Sequence, residues 1–458
     1  MRWREERQPG AVTNEVAVER AMEHAGSAVV FSGTTVAIAL LALIALPVPV
    51  LRSIGIVGLL IPLVSVAVAI TLLPVALATI GPKLDWPRLR REDRASRAWT
   101  AWARWVVKHR WAAAVTSTAV LIALVVAASS IQLGTPRAES LAQSGAARAG
   151  LEKLQQSGIG PGPLAPFEAL VRSSDPRGAA ETFAGVAGVR GAVAPSDRDW
   201  RSDGNTLVTV IPTADGSSSD GRATLERLRA SADELPVEVT IGGQAAQSSD
   251  FVDAIYRNFP LMIGLIAVLT FVLLARAFRS LVLPLQAVLL NLLSVAAAWG
   301  VMTLVWQNGI GTEAIWGIAA TRSINEWIPV LVFAFLFGVS MDYQVFIISR
   351  MRETHDRTGS TESAVVEGIG RTGRLVTSAA LILGLAFVAL SASPGTEVKI
   401  SATALAAGIL LDATIIRAAL VPATIAILGR WNWWLPPLAA RALRVTPGSR
   451  GSPQVGAG

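Results

Sequence analysis

Six stretches of this chain carry no charged residue over lengths that no ordinary water-soluble core requires. They run from Ala25 to Leu51, Ser53 to Pro82, Trp111 to Thr135, Asn258 to Ala275, Ser280 to Thr312 and Leu375 to Thr396. Each supplies the ~18 to 20 residues that cross a hydrocarbon core at ~1.5 Å rise per residue. Two further apolar runs are interrupted by charge: Trp327 to Ile348 contains Asp342, and Ile400 to Leu428 contains Asp412 and Arg417. The expected spans are 28–46, 54–80, 111–131, 259–275, 281–306, 328–349, 375–393 and 400–428, which define an integral membrane protein.

A net charge of +7 over 458 residues raises the question of nucleic acid, and the location of the charge answers it. Residues 132–258 hold 12 of the 40 basic and 16 of the 33 acidic side chains, leaving 28 against 17 in the segments that flank the spans. Basic residues fill every second loop: Arg2, Arg4 and Arg7, then Lys83 to Arg110, then Arg276 and Arg279, then Arg350 to Arg374, then Arg430 to Arg444. The positive-inside rule therefore places both termini in the cytoplasm and accounts for the basic excess without a nucleic-acid partner. Cysteine is absent, which excludes disulfides and thiolate metal sites. His24, His109 and His355 share no close spacing and read as solvated residues. Trp99, Trp102, Trp105 and Trp111, like Trp431, Trp433 and Trp434, are placed as interfacial anchors or as plain packing.

The expected organisation is a cytoplasmic amphipathic segment (1–27), two transmembrane helices (28–81), a basic cytoplasmic linker (82–110), a transmembrane helix (111–131), an external domain (132–258), five transmembrane helices (259–429) and a cytoplasmic tail (430–458). Within the external domain, strands near 167–172, 189–193, 206–212 and 237–242 alternate with helical patterns at 179–186 and 223–235. That order, β-α-β-β-α-β, is the split unit of a ferredoxin-like fold.

The chain also echoes itself. Residues 2–5 (Arg-Trp-Arg-Glu) match 350–353 (Arg-Met-Arg-Glu), and Pro74 and Gly81 stand 348 positions before Pro422 and Gly429; Ala17, Val18 and Gly26 match Ala364, Val365 and Gly373 at 347. Repeated halves are typical of secondary transporters, whose sites lie where the halves meet. At this offset the counterpart of Asp342 falls about six residues before Met1. The expectation is a chain lacking roughly the first four spans and the first external domain of a twelve-span parent.

An ionised carboxylate at mid-membrane costs at least ~3 kcal/mol, so it normally faces the bundle interior and works there. Asp342 can take up and release a proton, with Tyr343 as hydrogen-bond partner; a structural polar contact between helices is the alternative. Asp412 and Arg417, five residues apart, stand ~140° apart around an α-helix, a poor direct pair. Each is expected to meet a different helix, as part of a structural network or of proton movement. Ser32, Thr377 and Ser378 supply hydroxyls to neighbouring spans, as packing contacts or relay members. No nucleophile elbow, phosphate loop or metal cluster points to an enzyme.

The run from Gly338 to Glu353, with its G-x-S-M-D-Y-x-x-F-x-x-S-R-x-R-E pattern, resembles the tenth-helix signature of the MMPL (mycobacterial membrane protein large) transporters of the resistance-nodulation-division superfamily. Phe278-Arg279-Ser280, Gly373-Arg374 with Ser378-Ala379-Ala380, Leu411-Asp412-Ala413 with Arg417 and Pro422, and Asn432 to Pro436 resemble other motifs of the family. Ser32-Gly33, Leu51 to Gly55 and Thr71 to Pro74 resemble its fifth and sixth helices. The resemblance implies proton-driven export of lipids or other hydrophobic compounds across the bacterial inner membrane, with protons as coupling ion and no cofactor. It implies a proton relay at Asp342 and Tyr343 with Ser32 beside it, and an external porter domain. The family's first Asp-Tyr pair and first porter domain have no match here. The missing half as a separate chain is then a partner, and a non-transporting fragment or membrane scaffold is the alternative function.

Overall fold

The computed structural model describes residue 3 and residues 13–81, 96–137, 140, 145–173 and 175–445; at a few positions of the first helix, Ser32 and His24 among them, it describes only the backbone. The chain opens with helices α1 (Asn14–Ile44), α2 (Pro49–Ile70), α3 (Leu72–Thr79), α4 (Arg97–Lys108) and α5 (Arg110–Ala128). After α6 (Gly145–Gln156) comes the sheet domain: β1 (Phe167–Val171), α7 (Arg177–Ala184), β2 (Val189–Val193), β3 (Arg201–Ser202), β4 (Asn205–Pro212), α8 (Ser219–Asp233) and β5 (Val239–Gly242). Helices α9 (Gln244–Tyr256), α10 (Phe259–Phe278), α11 (Val282–Met302), α12 (Thr312–Trp316), α13 (Ile328–Thr358), α14 (Thr361–Leu390) and α15 (Thr396–Leu411) follow. A π-helical segment, Asp412–Leu420, then leads into α16 (Val421–Leu428) and, past a short 3-10 turn, α17 (Pro437–Ala442).

Seven helices among the described residues are long and apolar enough to cross a membrane: Pro49–Thr79, Arg110–Ala128, Gln244–Phe278, Val282–Gln307, Ile328–Thr358, Thr361–Leu390 and Thr396–Trp433. The eighth expected span, 28–46, overlaps the second half of α1, which ends at Ile44, is not among the seven and carries Glu15, Glu19, Arg20 and Glu23 in its first turns. Another difference is at α14, which starts at Thr361 rather than near 375. Ser360 caps it by accepting the Ser363 amide at 3.2 Å, so Arg371 and Arg374 sit inside a helix that projects past its apolar run. Side chains such as Val115, Leu261 and Ile382, each more than 60% exposed, bare apolar surface that suits lipid and not water.

The sheet runs in the order β2-β4-β1-β5, every neighbouring pair antiparallel, with the short β3 pairing on β4. Leaving β3 aside, this is the ferredoxin-like order expected from the pattern. Burial alternates strictly along β4, with Thr206, Val208, Val210 and Pro212 inward, because successive residues of a strand face opposite sides. Val208 and Val210, with Phe167, Phe183, Leu225 and Leu228, belong to a core separate from that of the helices. The Ser218 hydroxyl caps α8 by accepting the Gly221 amide at 3.0 Å.

Polar contacts join sheet domain and bundle. Ile324 bridges residues 132–134, its amide donating to the Gln132 carbonyl at 2.8 Å and its carbonyl accepting from the Gly134 amide at 2.9 Å. The Gln307 side chain accepts from Gln132 N and donates to Ser130 O. Arg222 of α8 donates to the Leu133 carbonyl. Inside the bundle, α13 packs between α1, α14, α15 and α11. Gly338 permits a close approach of α13 to α1: a Cβ there would lie 3.4 Å from Val36 Cα.

Candidate functional site

Asp412 and Arg417 are 6% and 2% exposed, lying halfway along a helical stretch that spans 396 to 428. They form a direct ion pair, against the expectation that each would meet a different helix. The reason is local. Residues 412–420 are π-helical, and the Val421 amide bonds the Ile416 carbonyl five residues back. In a helix closed by i→i+5 bonds, positions five apart stack one turn above the other. The 140° separation holds only for an α-helix.

Arg417 also reaches across to α13. Its guanidinium donates to the Ser340 carbonyl and to Ser340 Oγ, the latter at 3.0 Å, and lies 4.9 Å from the centre of the Tyr343 ring. One cation is therefore held by a carboxylate on its own helix and by a hydroxyl, a carbonyl and an aromatic face on the next. Burying a pair costs several kcal/mol per ion in lost hydration, which only such extra partners offset. Asp412 Oδ1 and Arg417 Nε have no hydrogen-bond partner among the described residues. Beside them, lined by Ser294, Ser340, Tyr343 and Gly408, is a cavity of about 10 Å³, on the order of one water molecule.

Asp342 lies about 14 residues into α13, hence ~21 Å along it. It is half-buried. It does not share the face of Ser340 and Tyr343. Four residues after Gly338, Asp342 lies on the side of α13 that packs on α1, whereas Tyr343 looks toward Arg417. The adjacent pair singled out from sequence is thus divided between two helix interfaces, with Tyr343 nearer the ion pair.

Ser32 lies on α1, and its side chain is outside the described residues. Ser378 is not brought to the cluster: it is exposed, and its hydroxyl bonds the Arg374 carbonyl of its own helix at 2.8 Å. Thr377 does the same with Gly373. A serine one turn past a carbonyl satisfies itself within the helix, which removes the need for a relay partner. His355 is half-buried, and its ring stacks on Trp433 at 4.0 Å.

Sequence reasoning passed over Ser340, Asn291 and Gln344. Ser340 lies within the quoted signature, two residues before Asp342. Asn291 is the polar interruption of an uncharged run, buried with its amide donating to the Phe337 carbonyl at 3.0 Å. Gln344 is buried next to Tyr343. Each was visible as a polar residue in an apolar stretch.

Fold and cluster together define a multi-pass membrane protein with a ferredoxin-like domain and a buried charge network in its bundle. The model of the MMPL family matches residues 1–115 and 200–449, and the chain belongs to that family. It is 33% identical over 479 residues to the heme uptake protein MmpL11 of Mycobacterium tuberculosis, covering 100% of this chain and 49% of that protein. Against the mycolic acid-containing lipids exporter MmpL11 of Mycolicibacterium smegmatis it is 33% identical over 464 residues, 95% of this chain and 47% of that one. The chain thus spans about half the length of the curated relatives it matches. SecDF, a translocon-associated membrane protein from a Thermus species, superimposes with a TM-score of 0.49 at 18% identity, over 92% of this chain and 51% of its own.

Proposed function

We propose that this chain is the proton-coupled half of an exporter of lipids or other hydrophobic compounds, seated in the bacterial inner membrane with both termini cytoplasmic and the sheet domain outside. The observation that carries the proposal is the buried Asp412–Arg417 pair, held by Ser340 and Tyr343 of α13, with a second carboxylate, Asp342, on the α1 side of that same helix. Protonating Asp412 removes the charge that faces Arg417, and protonating Asp342 removes a charge from the other side of α13. Arg417 then rebalances between Asp412 and its partners on α13, Ser340 and Tyr343. Because those partners stand on different helices, a proton arriving at the site alters the attraction between α13 and the π-helical segment, which is how charge becomes helix movement. Related proteins named for lipid export and for heme uptake support an apolar cargo. The relatives' double length supports work alongside a second half.

The test is proton uptake and lipid export in proteoliposomes holding this chain, alone and with the first half of an MMPL relative. Asp342→Asn keeps the side-chain size and removes the titratable proton, so it is expected to abolish uptake while the melting curve stays near wild type. Wild-type flux in Asp342→Asn rejects the relay. Absence of flux in every combination supports a membrane scaffold instead.

A further inference from the structure

Pro422 lies at the start of α16, directly after the π-helical segment. Proline has no amide N–H, so it gives nothing to the carbonyl four residues before it, and its ring crowds that oxygen. Counted in the α-helical register of α16 that carbonyl belongs to Ala418, at the seam where the i→i+5 bonding of residues 412–420 gives way to α-helix. In the middle of a bilayer no water compensates such a group, and a neighbouring helix must do so. The donor comes from outside the bundle's second half: the Trp102 indole Nε1 reaches the Ala418 oxygen at 2.7 Å.

Trp102 belongs to α4, a short helix with three distinct faces. Ala103, Val106 and Val107 are buried against the bundle, Arg97, Arg104 and Lys108 are exposed on another side, and Trp102 and Trp105 stack at 5.2 Å on the third. The helix is fixed at its start as well. The Ser96 amide donates to the Gly370 carbonyl of α14 at 2.9 Å, and the Trp99 ring fills the place a side chain at Gly373 would occupy. So α4 is anchored to α14 at one end and hands a hydrogen bond to the π-helical segment at the next turn. On its open side the indole borders a groove lined by Ala98, Trp99, Thr377, Ala413 and Thr414, which leaves room for the ring without demanding its N–H.

We infer that Trp102 is a positioning residue for the charge cluster: by satisfying the carbonyl that Pro422 leaves open, it holds residues 412–420 in the π-helical register that brings Asp412 and Arg417 into contact. The braced carbonyl belongs to Ala418, the residue directly after Arg417. Were the segment to relax to an α-helix, Asp412 and Arg417 would return to positions ~140° apart. The inference deepens the reading of the cluster as a proton site, and it makes α4, a helix at the basic side of the molecule, part of that site's geometry.

A double-mutant cycle on the full chain in lipid nanodiscs tests it, with Trp102→Phe, Pro422→Ala and their combination. Phenylalanine keeps an aromatic ring but has no donor, and alanine at 422 supplies the missing amide from within the helix. The readout is the pH at which Asp412 takes up its proton, followed by its carboxyl infrared band and assigned with Asp412→Asn. Trp102→Phe is expected to change that protonation equilibrium by roughly threefold to tenfold, the range of one membrane hydrogen bond. In the Pro422→Ala background it is expected to change it less than twofold. An equal shift in both backgrounds overturns the inference. So does a Trp102→Phe protein that melts earlier while the Asp412 band is unmoved, since that is a packing effect alone. Proton flux is not part of this readout, so a failure of the transport reading in Asp342→Asn proteoliposomes leaves the cycle interpretable.

Discussion

If the Asp412–Arg417 pair is held by mutual compensation, then removing one partner must hurt more than removing both. Arg417→Met takes away the cation paired with the carboxylate and leaves Asp412 buried at 6% exposure with an unmatched charge. Breaking a buried pair in this way costs about 3 to 5 kcal/mol. Asp412→Leu leaves the guanidinium with neutral partners only, Ser340 and the Tyr343 ring, and costs a similar amount. In the double variant no buried charge remains, and apolar replacement of a whole pair is close to neutral. What stays lost is the contact of the cation with the Tyr343 ring and the Ser340 hydroxyl, about 1 to 2 kcal/mol. The double variant should therefore be several kcal/mol more stable than the sum of the singles requires. Reversible unfolding in mixed micelles, run for all four proteins at one pH, measures this. Additive losses would show that the two charges are compensated separately, by other groups, and would refute the reasoning.

Gly373 faces the Trp99 ring with only 2.5 Å from an added Cβ to the nearest ring atom, so Gly373→Val should cost about 1 to 3 kcal/mol of stability, and Trp99→Leu in the same chain should recover most of it; equal melting of the single and double variants would contradict the contact. Glu326, in the connection before α13, has its carboxyl pKa raised, chiefly by burial and against the opposing hydrogen bond from Ser248. A raised folded-state pKa means the native protein holds this proton more tightly than the unfolded chain does; the associated stability is present at low pH and lost as pH rises through the folded value. Glu326→Gln, which is never charged, should thus melt with wild type in acid and above it at neutral pH, and a constant gap across pH would exclude the linkage.

Most of the architecture is legible in the sequence because long uncharged runs leave few alternatives, and because the sheet domain writes its strands as short apolar segments between turn residues. The strands expected at 167–172, 189–193 and 206–212 lie at 167–171, 189–193 and 205–212. Only β3, two residues long, gave no periodic signal. The start of α14 was misplaced because hydropathy marks where a helix meets lipid; the chain is already helical through Arg371 and Arg374, and only the cap at Ser360 marks the true beginning. Membership of the bundle core was readable for Asp412 and Arg417 as well. Their partnership was not.

That failure has a definite physical source. Angles around a helix follow from its hydrogen-bond register, and the sequence argument assumed the α register throughout 400–428. A π-helical segment needs something to stabilise it, since each such turn gives up regular α bonding. Here two features separated in sequence do so together. Arg417 ties the segment to Ser340 and Tyr343 across the interface, and Trp102, 316 residues earlier in the chain, accepts the consequence of Pro422 by donating to Ala418. Pro422 was in plain view as a motif residue, but a proline only announces that a carbonyl four positions back has lost its donor. Which group replaces that donor is a tertiary fact, and in this bundle it decides whether two opposite charges five residues apart face one another.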